Sequence, residues 1–102
     1  MTNYSNGANF ERKVKADLQA HGWFVIRSAG SHGPVDLIAQ APGPNVVWIQ
    51  CKKDGKMSGQ DQTDLINLAL AFDATPVLAY SNKGVCYSEL FADMMMDWSP
   101  GG

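Results

Sequence analysis

"VVWIQCKKDGK", residues 46–56, begins as β-branched and aromatic sequence and turns polar and basic before a glycine-containing loop. Side chains alternate between faces in an extended chain, so Gln50 and Lys52 share one face while Ile49, Cys51 and Lys53 share the other. A strand that only supports a core has no need of a polar and cationic end. The arrangement makes chemical sense if an acidic residue arrives from a neighbouring strand.

The preceding stretch supplies that acid. "VDLIAQ", residues 35–40, reads as a strand, and the short turn "APGPN" sets it beside residues 46–53. Asp36 opens this strand two residues after Pro34, behind the loop "SAGSHGP". Further upstream, "WFVIRS" is an aromatic and β-branched strand. "NFERKVKADLQAHG" is a helix, with Phe10, Val14 and Leu18 at helical spacing and Gly22 as its stop.

Downstream, Ser58 with Asp61 three residues on resembles a capping box with Asp in place of Glu or Gln. Leu65, Ile66, Leu68, Ala69 and Phe72 then pattern a second helix. "TPVLAY" and "VCYSEL" are two strands joined by the turn "SNKG". The order is α-β-β-β-α-β-β, an α/β (α+β) domain with a mixed sheet flanked by helices. Met94, Met95, Met96 and Trp98 are expected to continue as a helix covering the sheet, or else to form an oligomer contact, since Met adapts well to partner surfaces.

The 102 residues are one domain's worth, expected to span 1–102 with flexible ends at 1–6 and 99–102, and leave no room for a separate recognition module. No apolar run is long enough to cross a bilayer and no basic-then-apolar signal opens the chain, so a cytoplasmic protein is expected. Cys51 and Cys86 lack the spacing of a zinc or redox motif and are read as reduced core residues. The net charge of −2 argues against a generic basic nucleic-acid binder, but its distribution is uneven. Residues 1–60 hold seven of the eight Lys and Arg against four acids, whereas residues 61–102 hold Lys83 against six. A phosphate-facing front and an acidic back fit that asymmetry.

Four places carry chemistry. Asp36, the amide oxygen of Gln50 and the backbone carbonyl of Cys51 offer three oxygens to Mg²⁺, a cation that prefers oxygen ligands and keeps several waters. Lys52 is then placed to stabilise developing negative charge or to orient an attacking water. Glu11 lies one position from the apolar stripe of the first helix, able to look along the sheet edge. Taken singly, Asp36 also reads as a strand-entry cap, Glu11 as a solvated helix residue and Lys52 with Lys53 as an exposed strand end. Their joint occurrence favours a site.

An Asp, a loop and Gln-x-Lys after a Glu-bearing helix resembles the PD-(D/E)xK nuclease superfamily. Within it, "FERKVKADLQAHGWFVIRSAGSHGPVDLIAQ" through "IQCKK" looks most like the archaeal-type Holliday junction resolvases and their bacteriophage relatives, over about residues 7–88. The resemblance implies a restriction-endonuclease-like core and a Mg²⁺ site, with Mn²⁺ as a substitute, built on Glu11, Asp36, Gln50, Cys51 and Lys52. It also implies a catalytic serine in the loop before the aspartate, best matched by Ser31 and less well by Ser28. Two departures stand out. "PVD" replaces the commoner "PD", and Gln50 stands where most members carry Glu, removing one charge from the metal site.

Restriction enzymes that read base edges use extra recognition elements, and none fits in this chain, so recognition of DNA shape is expected. The resemblance implies a four-way junction as substrate, in recombination and repair, and a two-fold homodimer that supplies two matching cuts. Arg12, Lys13, Lys15, Arg27, Lys53 and Lys56 are the expected phosphate contacts. His32 is a phosphate contact or a bystander rather than a general base. Trp23, Phe24, Trp48 and the Met run are the interface candidates, with Trp48 equally at home in a core. Two other readings fit the same residues: a superfamily nuclease acting on flaps or mismatches, and a junction-binding protein without catalysis.

Overall fold

The computed structural model describes residues 3–28 and 33–101, with side chains from residue 8 onward. The chain runs α1 (Asn3–Ala20), β1 (Phe24–Arg27), β2 (Leu37–Gln40), β3 (Val46–Cys51), α2 (Gly59–Ala71), β4 (Thr75–Ser81), β5 (Val85–Leu90) and β6 (Met95–Trp98). The six strands form one sheet in chain order, β1-β2-β3-β4-β5-β6. Neighbours are antiparallel except β3 and β4, which run parallel because α2 carries the chain across between them.

Alternation along the strands builds the three layers. Val47 and Ile49 of β3 and Val77 and Ala79 of β4 face α1 and pack with its Phe10, Val14 and Leu18. The alternate residues Trp48, Leu78 and Tyr80 face the other way, against Leu65 and Ile66 of α2. Both helices end as their sequences predict. α1 closes with Trp23 N–H donating to Leu18 O, which requires Gly22 in the left-handed region at φ +87°, where glycine alone is unstrained. α2 begins at Ser58, whose hydroxyl accepts from Asp61 N–H at 3.0 Å.

The tail departs from the helical expectation. Met95–Trp98 pairs antiparallel with Tyr87–Leu90 and adds a sixth strand to the expected order. Two forces outweigh the helix propensity of the methionines. The edge of β5 supplies ladder hydrogen bonds, and Trp98 packs edge-to-face on Trp23 and Tyr87, with ring centroids 5.5 and 5.3 Å apart. Trp23 Nε1 donates to the Pro100 carbonyl at 3.0 Å, tying residues just before β1 to those just after β6. Trp23 is therefore a core residue and not an interface anchor, whereas Met94, Met95 and Met96 remain exposed. Cys51 and Cys86 are both free and half-buried. Among the described residues no helix is long and apolar enough to cross a membrane.

Candidate active site

The centre of the site is the junction of β2 and β3. Asp36 N–H donates to Ile49 O at 2.8 Å, which continues the antiparallel ladder one residue beyond β2. The Asp36 carboxylate then accepts from Cys51 N–H at 2.8 Å through Oδ2. A side chain thus takes the place of a backbone carbonyl at the end of the ladder, and the carboxylate is pinned against the Gln50–Cys51–Lys52 segment. Burial pushes the Asp36 carboxyl above its ordinary value. The Cys51 N–H bond opposes this, the negative charge of Glu11 adds to it, and Lys52 and Arg27 act in the lowering direction. Burial, followed by the charges of Asp36 and Glu11, raises the Cys51 thiol as well, so the sulfur stays protonated.

Gln50 is 8 % exposed, and its Oε1 is buried without a hydrogen-bond partner. Such an orphaned oxygen costs about 1–3 kcal/mol. An acceptor left open beside a half-buried carboxylate fits a cation, and the donor set here is entirely oxygen: the Asp36 carboxylate, the Gln50 amide and the adjacent backbone carbonyls. The set is poor in charge. Among the described residues no three His, Cys, Asp or Glu side chains group together as a metal site. Position 50 supplies an amide rather than a carboxylate, and Glu11 Oε1 accepts from Arg27 Nε at 2.9 Å. α1 and the end of β1 thereby bring Glu11 and Arg27 to the rim of the site.

Lys52 continues β3 beyond its last paired residue. Its N–H donates to Ala79 O at 2.9 Å and its carbonyl accepts from Gly55 N–H at 2.8 Å, so the backbone is fixed and only the side chain is free to move. The ammonium lies 4.0 Å from Asp61 Oδ2, a contact that the reading of Asp61 as a capping residue does not anticipate. The legible signal was position: Asp61 enters the first turn of the helix that follows the Lys52 loop.

The basic residues divide. Arg12 and Lys13 of α1 meet Lys53 around one concavity, together with Asn9 and Phe10. Lys15 and Lys56 do not line it, and Arg27 is engaged with Glu11. Ser31 and His32 lie outside the described residues. Ser28, whose N–H donates to Asp36 O, is exposed.

The chain matches the family described as archaeal Holliday junction resolvase (Hjc) over residues 2–97. It is 40 % identical over 85 residues to the crossover junction endodeoxyribonuclease Hjc of Methanocaldococcus jannaschii, an alignment that covers 79 % of this chain and 62 % of that protein. Among solved structures it is similar to Hjc of Archaeoglobus fulgidus, a Holliday junction resolvase from an archaeal hyperthermophile. That match has a TM-score of 0.69 and 24 % identity, over 92 % of this chain and 90 % of the other. At that identity the structural likeness speaks for the fold, which is the restriction-endonuclease-like core expected from the sequence.

Proposed function

The chain belongs to the archaeal Holliday junction resolvase family, and from that premise we propose that it is a divalent-metal-dependent endonuclease that resolves four-way DNA junctions by phosphodiester hydrolysis. The observation that carries the reading is the pairing of a pinned, burial-raised Asp36 carboxylate with the buried, unpartnered Oε1 of Gln50 on the next strand. Asp36, Gln50, the Cys51 carbonyl and Glu11 would hold Mg²⁺, or Mn²⁺ in its place, and a divalent ion there would supply an activated water and offset charge on the phosphate.

The protein's own groups do the rest. Lys52 presents its ammonium to the phosphate oxygens as a water oxygen bonds to phosphorus and one P–O ester bond breaks. Arg12, Lys13 and Lys53 hold a neighbouring phosphate in their shared concavity. Lys15, Arg27, His32 and Lys56 extend the phosphate contacts, and Ser31 completes the catalytic set. A DNA substrate places the work where the DNA lies, in the cytoplasm of a prokaryotic cell or of a virus-infected host.

Two cuts call for two sites, and one sheet face supports a homodimer. Ile26, Ile38 and Trp48 are cross-strand neighbours through the registers of β1, β2 and β3. Phe72 extends the row by stacking on Trp48 with centroids 5.3 Å apart. Phe24 and Phe72 are 68 % and 65 % exposed, because α2 covers the strands of this face only in part. A second copy buries this row.

The test is cleavage of labelled four-way junctions, linear duplexes and flaps with and without Mg²⁺, with oligomeric state measured by ultracentrifugation. Metal-dependent, paired cuts confined to junctions are expected. Equal cutting of flaps moves the protein to another branch of nuclease activity, and tight binding without cleavage makes it a junction-binding protein.

A further inference from the structure

We propose that Asp61 is a positioning residue for Lys52: from the first turn of α2, its carboxylate holds the Lys52 ammonium in place for the phosphate. The inference rests on the nuclease reading above for its consequence, but its geometry stands independently. Lys52 Nζ and Asp61 Oδ2 are 4.0 Å apart, with side chains 37 % and 43 % exposed. Both backbones beneath them are fixed. Lys52 is tied to Ala79 and Gly55, and the first turn of α2 under Asp61 closes through Gln62 N–H donating to the Ser58 carbonyl at 3.0 Å, a backbone bond independent of the Ser58 side chain. α2 is itself anchored through the fully buried Leu65 and Ala69. The remaining freedom lies in the four-carbon lysine stem, which carries about 2 kcal/mol of rotamer entropy.

The second carboxylate that Lys52 feels is Asp36, whose carboxyl responds to the lysine's charge. The ammonium therefore sits in the field of two acids from different elements, Asp36 ahead of β2 and Asp61 on α2. Without Asp61, Asp36 is left to draw the lysine toward the oxygens the metal needs. An acid in the first helical turn also complements the helix dipole, a purely structural role that the test must separate. The exposure of the pair makes this possible, because a partly exposed ion pair adds little to stability. Loss of positioning is then visible without loss of fold.

The experiment compares Asp61→Asn, Asp61→Glu and Ser58→Ala with the native protein in single-turnover junction cleavage, junction affinity and thermal melting. Asp61→Asn is expected to lower the cleavage rate about two- to fivefold, the size a partly exposed pair supports, with junction affinity and melting nearly unchanged. Asp61→Glu is expected to restore most of the rate. Ser58→Ala, which removes the cap and leaves the carboxylate, is expected to lower the melting temperature with little effect on rate. A native rate in Asp61→Asn, or an equal rate loss in Ser58→Ala, overturns the proposal. The side-chain ammonium resonance of Lys52 in the DNA-free protein gives a readout independent of cleavage. It should shift in Asp61→Asn and return in Asp61→Glu. An unchanged resonance refutes the positioning role even if no junction is ever cut, whereas absent cleavage with a shifted resonance refutes only the nuclease reading.

Discussion

Glu11 in α1 and Arg27 at the end of β1 hold each other at 2.9 Å, Nε to Oε1, at the rim of the site. The pair keeps one carboxylate engaged until something else satisfies the guanidinium, and a DNA phosphate is the natural substitute. Under the proposed function, phosphate binding by Arg27 and metal ligation by Glu11 would be linked through one exchange of partners.

That linkage predicts opposite effects from one substitution. Arg27→Gln should weaken junction binding several-fold while tightening Mn²⁺ binding to the protein alone, because Glu11 is released. Calorimetric titration of Mn²⁺ with and without uncleavable junction measures both. Weaker Mn²⁺ binding in the variant counts against Glu11 as a ligand.

Asp36→Asn is expected to abolish cleavage and leave junction binding and fold intact, since an amide oxygen still accepts from Cys51 N–H. It also carries a pH signature. Burial raises the Asp36 carboxyl in the folded chain above its ordinary 3.8, so the fold binds the proton more tightly than the unfolded chain does. The stability this confers is present below 3.8 and is lost as pH rises through the raised value. Metal-free melting from pH 3.5 to 7 should therefore show the Asn variant gaining on the native protein as pH rises. Mg²⁺ at neutral pH should stabilise the native protein alone. A difference that stays constant across this range argues against a carboxyl raised by desolvation.

Gln50 separates stability from function. Gln50→Leu removes an orphaned amide and should raise stability by about 1–2 kcal/mol while eliminating cleavage. Gln50→Ala should also lose most activity. Gln50→Glu places a second carboxylate near Asp36, lowering metal-free stability, with Mg²⁺ restoring it and binding more tightly than in the native protein. Thermal melts against Mg²⁺ concentration, with cleavage assays alongside, test all three. Full activity in Gln50→Ala removes the residue from the site.

Phosphate contact in the Arg12, Lys13 and Lys53 concavity predicts steep salt dependence. Neutralising Lys13 or Lys53 with Gln should lower the slope of log affinity against log salt by about one and weaken all junction sequences alike. Lys15→Gln, outside that concavity, should have the smaller effect. Affinity titrations at several salt concentrations supply the comparison.

Much of this was legible because the local rules agree with one another. Period-four apolar spacing in α1, alternation in β3 and the short turn between β2 and β3 suffice to bring Asp36 against Cys51. The tail was not legible, because three consecutive methionines carry no periodicity, and the edge of β5 that recruits them is a tertiary feature. Trp23 misled for a related reason. An aromatic at a strand start reads equally as interface or core until Trp98 is known to cover it. The Lys52–Asp61 contact depends on where α2 lands on the sheet, which no local spacing encodes.

The seam between Trp23 and the end of β6 has a consequence in time. Each strand lies beside its predecessor in the chain, so most of the sheet assembles through short loops. The bond from Trp23 Nε1 to Pro100 spans 77 residues, and closing a loop of that length costs about 4 kcal/mol of chain entropy before any contact offsets it. The seam is therefore expected to close late, after the sheet it joins has formed. The coupled tryptophans would mark that step, their near-ultraviolet dichroism lagging behind the far-ultraviolet signal of the strands.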